Sequence, residues 1–178
     1  MAVDIPSFFG WLFKATWRLL SPHRRCGWSD LPACKHGFMA TPIEISDLVH
    51  RYCDGVVRKD REQWSGTWAP DAHWDLGQGR VMDGVEAIVE YWVQAVDGFD
   101  TIVQLAHNGL VTVDGDRARG RWYISEHYQL RDGTRGLMLA YYDDTYSVVE
   151  GDWRFASRAI TILYRGPADL SKEFAEVS

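Results

Sequence analysis

Four long runs of alternating residues, joined by three glycine-bearing turns, fill the second half of this 178-residue chain. Thr101–Val113 runs into Asp114-Gly115-Asp116, and Arg117–Leu130 into Arg131-Asp132-Gly133-Thr134. Arg135–Val149 runs into Glu150-Gly151-Asp152, and Trp153–Tyr164 completes the set. Asp-Gly and Glu-Gly-Asp between alternating runs are hairpin signals, so four neighbouring antiparallel strands are expected. The helical signals all come earlier. Thr41-Pro42-Ile43-Glu44 is a capping box with Pro at the first helical position, and Ile45, Leu48, Val49, Tyr52 and Val56 follow at helical spacing. Arg61–Trp68 reads as a short second helix before Pro70, Ala72–Leu76 as a strand and GQGR as a loop. Gly84–Val96 reads as a third helix with Val85, Ile88, Trp92 and Val96 inward. Helices first, then a meander, give an α+β fold.

Charge and composition narrow the functions. With 19 basic and 25 acidic residues the net charge is −6, the wrong sign for a nucleic-acid binder. Residues 1–40 hold five basic and two acidic residues, +3, which leaves −9 for residues 41–178. Apolar residues make up 46% of the chain, enough for a sizeable core, and nine Trp raise the odds of an apolar pocket. Three Cys build no disulfide framework and fit a reducing compartment. His23, Cys26, Cys34 and His36 match no standard zinc spacing, so no metal is expected. The apolar stretch Phe8–Leu20 is interrupted by Lys14 and Arg18 and is too short to span a membrane. A cytoplasmic protein is expected. Residues 1–40 read as a loosely structured extension, or as sequence upstream of a start at Met39. The alternative is an amphipathic docking helix built on Phe8, Trp11, Leu12, Ala15 and Leu19. Residues 41–166 read as the domain and 167–178 as a tail.

The capped helix carrying RYCDGVVRKD, the strand WAPDAHWDLG, GVEAI, the hairpin VTVDGDRARG and the ending YYDDTYSVVEGDWRFASRAIT together carry a resemblance. Over about residues 42–165 the chain resembles the polyketide-cyclase-like (SnoaL-like) branch of the nuclear transport factor 2-like superfamily. The resemblance implies a cone-shaped, cystatin-like architecture, in which a curved antiparallel sheet and about three helices enclose a mostly apolar hollow. Scytalone dehydratase, ketosteroid isomerase, hexachlorocyclohexane dehydrochlorinase, bile-acid dehydratase and noncatalytic binding proteins share that fold, so the site must be argued from residues.

Tyr52 and Val56 lie on the buried stripe of the first helix, and Asp60 extends it if the helix continues. A carboxylate there has its pKa raised by desolvation and is a candidate base. The resemblance implies a related role, since its position resembles the Asp of the dehydrochlorinase and dehydratase dyad, which orients a catalytic His. Asp60-x-x-Gln63 is equally a cap for the second helix. The dyad histidine's place, four residues before Asn108, holds Gln104. His107 has the opposite parity and turns inward only with a bulge. Alternation puts Trp122, Ile124 and Glu126 on the bulkier, inward face of their strand, with Met138, Ala140 and Tyr142 on the next and Arg158 and Ile160 on the last. Glu126 is thus a candidate acid or base, or else a paired carboxylate at an edge. Arg158 is a candidate partner for Glu126 or for an anionic intermediate, or else a surface residue.

The expected site therefore has Asp60, Glu126 and Arg158 as chemistry, with Gln104 and His107 as polar contacts. Tyr52, Val56, Trp122, Ile124, Met138, Ala140, Tyr142 and Ile160 form its wall. Three functions compete. One is a cofactor-free lyase or isomerase for a steroid, terpenoid or aromatic polyketide. The others are a noncatalytic small-ligand module and the small subunit of an aromatic-ring hydroxylating dioxygenase. Val103, Leu105 and Tyr123 fall on the outer sheet face, where a homodimer is expected.

Overall fold

A computed structural model describes residues 42–175. The capping box at Thr41 and every expectation for residues 1–40 lie outside the described residues. Helix α1 spans Pro42–Arg58 and buries Ile45, Leu48, Val49, Tyr52 and Val56, the stripe read from the sequence. Its C-terminus is abrupt. Lys59 takes a left-handed φ of 53°, and the Asp60 amide closes back onto the Gly55 carbonyl at 2.9 Å. Helix α2, Arg61–Ser65, is shorter than expected, because the chain enters strand β1, Trp68–Asp75, before Pro70. Gly55 lets α2 approach closely, since a Cβ there would sit 3.0 Å from that of Trp64. A short strand β2, Val81–Asp83, precedes helix α3, Val85–Asp97.

The four long strands follow as β3 Phe99–Asp114, β4 Arg117–Leu130, β5 Arg135–Val149 and β6 Asp152–Gly166. They pair antiparallel in sequence order, as the turns require. The whole six-stranded sheet runs β2-β1-β6-β5-β4-β3, curved and unclosed. Strand β1 pairs with β6 in parallel, so the sheet is mixed rather than purely antiparallel. One face packs on the helices. There Trp64 stacks on Trp92 with centroids 4.4 Å apart, and Trp68, Trp74, Tyr146 and Phe155 extend the aromatic core.

Three of the bulges in the meander set which side chains reach the site. One extra residue on β3 separates the pairs Ala106↔Ile124 and Gly109↔Trp122. One on β6 separates Tyr146↔Phe155 from Thr145↔Ser157, and another separates Ala140↔Ile162 from Leu139↔Tyr164. Each inserts a residue and so reverses the parity beyond it.

Candidate functional site

A cavity of about 340 Å³ opens between α1, α3 and the concave face of the sheet. Tyr52 and Val56 line it from α1, Trp92 and Val96 from α3, and Met138, Tyr142, Ile160 and Ile162 from the sheet. This wall is almost wholly apolar, and into it project Gln104 and Glu126. They are direct partners across β3 and β4, both below a tenth exposed, and Gln104 Nε2 donates to Glu126 Oε2 at 3.0 Å. Burial pushes the Glu126 carboxyl up from the ordinary glutamate value. The Gln104 amide and the charge of Arg165 pull the other way without cancelling the rise. Gln104 Oε1 is buried with no partner, so the pair keeps hydrogen-bonding capacity to offer a guest.

The Tyr52 and Tyr142 rings separate this cavity from a second polar cluster. Arg158 is fully buried and grips Asp144 through Nε and Nη2, both at 2.8 Å. Tyr146 Oη donates to Asp144 Oδ2 at 2.8 Å, and Trp122 Nε1 donates to Tyr146 Oη at 2.9 Å. The guanidinium lies 3.9–4.3 Å from the centroids of Phe155, Tyr142 and Tyr52. Burial opposes its charge, but the Asp144 carboxylate holds it protonated well above the ordinary arginine value. Burial likewise raises Tyr52 to about 12, so its hydroxyl stays protonated at working pH.

Several expected site residues lie elsewhere. Asp60 is not on the cavity wall. Because α1 ends at Arg58, the stripe never reaches it. It caps α2 instead, accepting from the Gln63 amide at 3.0 Å and pairing with Arg58 at 3.3 Å. Arg158 belongs to the ion pair with Asp144 and touches neither Glu126 nor the cavity. His107 shares a 2.9 Å hydrogen bond with Ser125 Oγ, on the β4 parity opposite to Glu126. Trp122, Ile124 and Ala140 are buried as expected from alternation, but they pack in the core beside the cavity rather than lining it.

Sequence reasoning also passed over several contributors. Trp74, Leu76 and Arg80 line the cavity from the end of β1 and the GQGR loop, and Arg165 lines it from β6. Strict alternation from Ile160 and Ile162 sends Arg165 outward, and the bulge before Tyr164 turns it back. Among the described residues, no three of His, Cys, Asp and Glu gather where they could hold a metal ion, and no helix is long and apolar enough to cross a membrane.

The model of the SnoaL-like domain family matches residues 41–159. No curated protein matches the chain by sequence. A hexachlorocyclohexane dehydrochlorinase from Novosphingobium barchaimii is similar in structure, 20% identical with a TM-score of 0.63 over 76% of this chain and 94% of that one. A candidate scytalone dehydratase from Novosphingobium aromaticivorans gives 16% and 0.66 over 70% and 85%. A protein of unknown function from Mycobacterium tuberculosis gives 28% and 0.61 over 67% and 70%.

Proposed function

This chain belongs to the SnoaL-like domain family, and on that premise we propose that it is a cofactor-free lyase or isomerase acting on an apolar small molecule. The reacting group in this reading is Glu126. The observation that carries it is a buried carboxyl with a raised pKa, held by one amide and facing an apolar hollow. Desolvation makes its carboxylate a stronger base than an exposed glutamate, and the hollow excludes competing water. Gln104 orients it and keeps Oε1 free to accept from a substrate hydroxyl. Among the described residues, the cavity wall holds no second carboxylate and no histidine. One group that takes a proton and returns it is sufficient for an isomerisation, so proton transfer beside a carbonyl fits better than a two-residue dehydration. The dehydrochlorinase and dehydratase names among its structural neighbours support the same kind of chemistry.

The test is deuterium uptake from heavy water into a panel of polycyclic and aromatic ketones. The wild-type protein is expected to exchange the proton next to the carbonyl. Glu126→Gln should slow that exchange by about 10²–10⁴-fold, with ligand affinity changed only a few-fold. Full exchange in Glu126→Gln overturns the assignment. Tight ligand binding without any exchange favours the noncatalytic module, a reading supported by Gln104 standing where a dyad histidine would be. We also propose a homodimer through the outer sheet face, supported by the exposure of Leu105 there. Light scattering that returns a monomer mass contradicts it.

A further inference from the structure

One row of side chains crosses the concave face of the sheet. Gln104, Glu126, Met138 and Arg165 are successive partners on β3, β4, β5 and β6. Arg165 therefore faces the same hollow as Glu126, two strands away, and its charge acts on the Glu126 carboxyl. A second guanidinium reaches the wall from the GQGR loop. Gly77, Gln78 and Gly79 all take left-handed φ, and in that tight loop Arg80 Nη2 donates to the Leu76 carbonyl at 3.0 Å.

The charges of this wall do not balance. Among the described residues that line it, Glu126 is the one carboxyl, against the two guanidinium groups of Arg80 and Arg165. Five of the other described arginines, Arg58, Arg121, Arg131, Arg154 and Arg158, each hold an aspartate. Among the described residues, no carboxylate lies within ion-pair distance of Arg165 or Arg80. Two guanidinium groups against one carboxyl, on a wall that is mostly apolar, suit a guest that brings its own negative charge.

We propose that the ligand of this cavity is an organic anion, an apolar ring body whose carboxylate or similar oxyanion group is held by Arg165, with Arg80 as a second contact. This names the substrate class for the proposed Glu126 chemistry and rests on that reading only for the identity of the cavity. The apolar body lies against Trp92, Ile160 and Ile162, and a hydroxyl on it satisfies the partnerless Gln104 Oε1. Arg165 is a positioning and specificity residue in this account, with no part in proton transfer.

Two dyes with one ring body test this, anilinonaphthalene sulfonate and the uncharged phenylnaphthylamine, titrated by fluorescence. The wild-type protein should prefer the sulfonate. Arg165→Gln should weaken the sulfonate about tenfold or more and leave the neutral dye within about twofold, as expected for losing a charged hydrogen bond. Arg80→Gln should act in the same direction with a smaller effect, since Arg80 is exposed and partly engaged with backbone carbonyls. Both arginines are exposed, so neither change should disturb folding, and an unchanged melting temperature verifies it. Sulfonate affinity that Arg165→Gln leaves unchanged, or equal losses for both dyes, overturns the proposal. Turnover does not enter this test. Failed dye selectivity leaves the Glu126 assignment standing, and full exchange in Glu126→Gln leaves the anion site standing.

Discussion

Two buried acidic groups share one face of one sheet, and their surroundings are opposite. Asp144 receives two bonds from Arg158 and one from Tyr146, and three aromatic rings shut the cluster off. Glu126 receives one bond, from Gln104, and looks into a cavity of about 340 Å³. A carboxylate with both oxygens held in a buried ion pair serves the fold. A carboxylate with spare lone pairs beside an empty apolar space is able to exchange a proton with a guest. The comparison teaches that burial alone does not mark a reactive group. What marks it is hydrogen-bonding capacity left unspent beside a space for a substrate.

The largest expected effect breaks the closed end. Asp144→Ala strands the Arg158 charge in the core and should cost about 3–5 kcal/mol in denaturant unfolding. The paired replacement Asp144→Leu with Arg158→Met should recover most of that loss, because two apolar groups leave no charge behind. The open end behaves differently. The folded state holds the Glu126 proton more tightly than the unfolded chain does. Wild-type stability relative to Glu126→Gln should therefore be greatest at acid pH and fall as pH rises above about 4.5 through the raised value. The fall amounts to about 1.4 kcal/mol for each unit of elevation. Smaller again is Gly109→Ala, whose new methyl group would press on the Trp122 ring and should destabilise by about 1–3 kcal/mol. The smallest effect separates structure from chemistry at Asp60. Asp60→Ala removes the α2 cap and should cost about 1 kcal/mol while leaving proton exchange unchanged.

Much of this arrangement was legible in the sequence because it follows from short-range rules. Glycine-bearing turns located the meander, helical spacing located the α1 and α3 stripes, and strand parity located Glu126, Gln104, Met138 and Tyr142 on the concave face. The errors arise where one residue changes the count. Asp60 was read into the hollow because its spacing continues the α1 stripe, but Lys59 ends the helix first. Arg165 was missed because a single bulge reverses the parity of β6 beyond Ile162. Arg158 was placed on the correct face but given the wrong partner. Alternation says which way a side chain points without saying that Asp144, directly across on β5, lies closer than Glu126.

The central claim is that, of the two buried acids among the described residues, Glu126 is the one left with bonding capacity to spare, and it is tested most directly by its own titration. Carbon-13 NMR of the glutamate side-chain carboxyls, with the Glu126 resonance assigned by its disappearance in Glu126→Gln, reads the midpoint without any substrate. The account predicts a midpoint clearly above the ordinary glutamate value of 4.5. Arg165→Gln should move it further up, because the lost positive charge had been holding it down. A Glu126 midpoint at or below 4.5 would contradict the account.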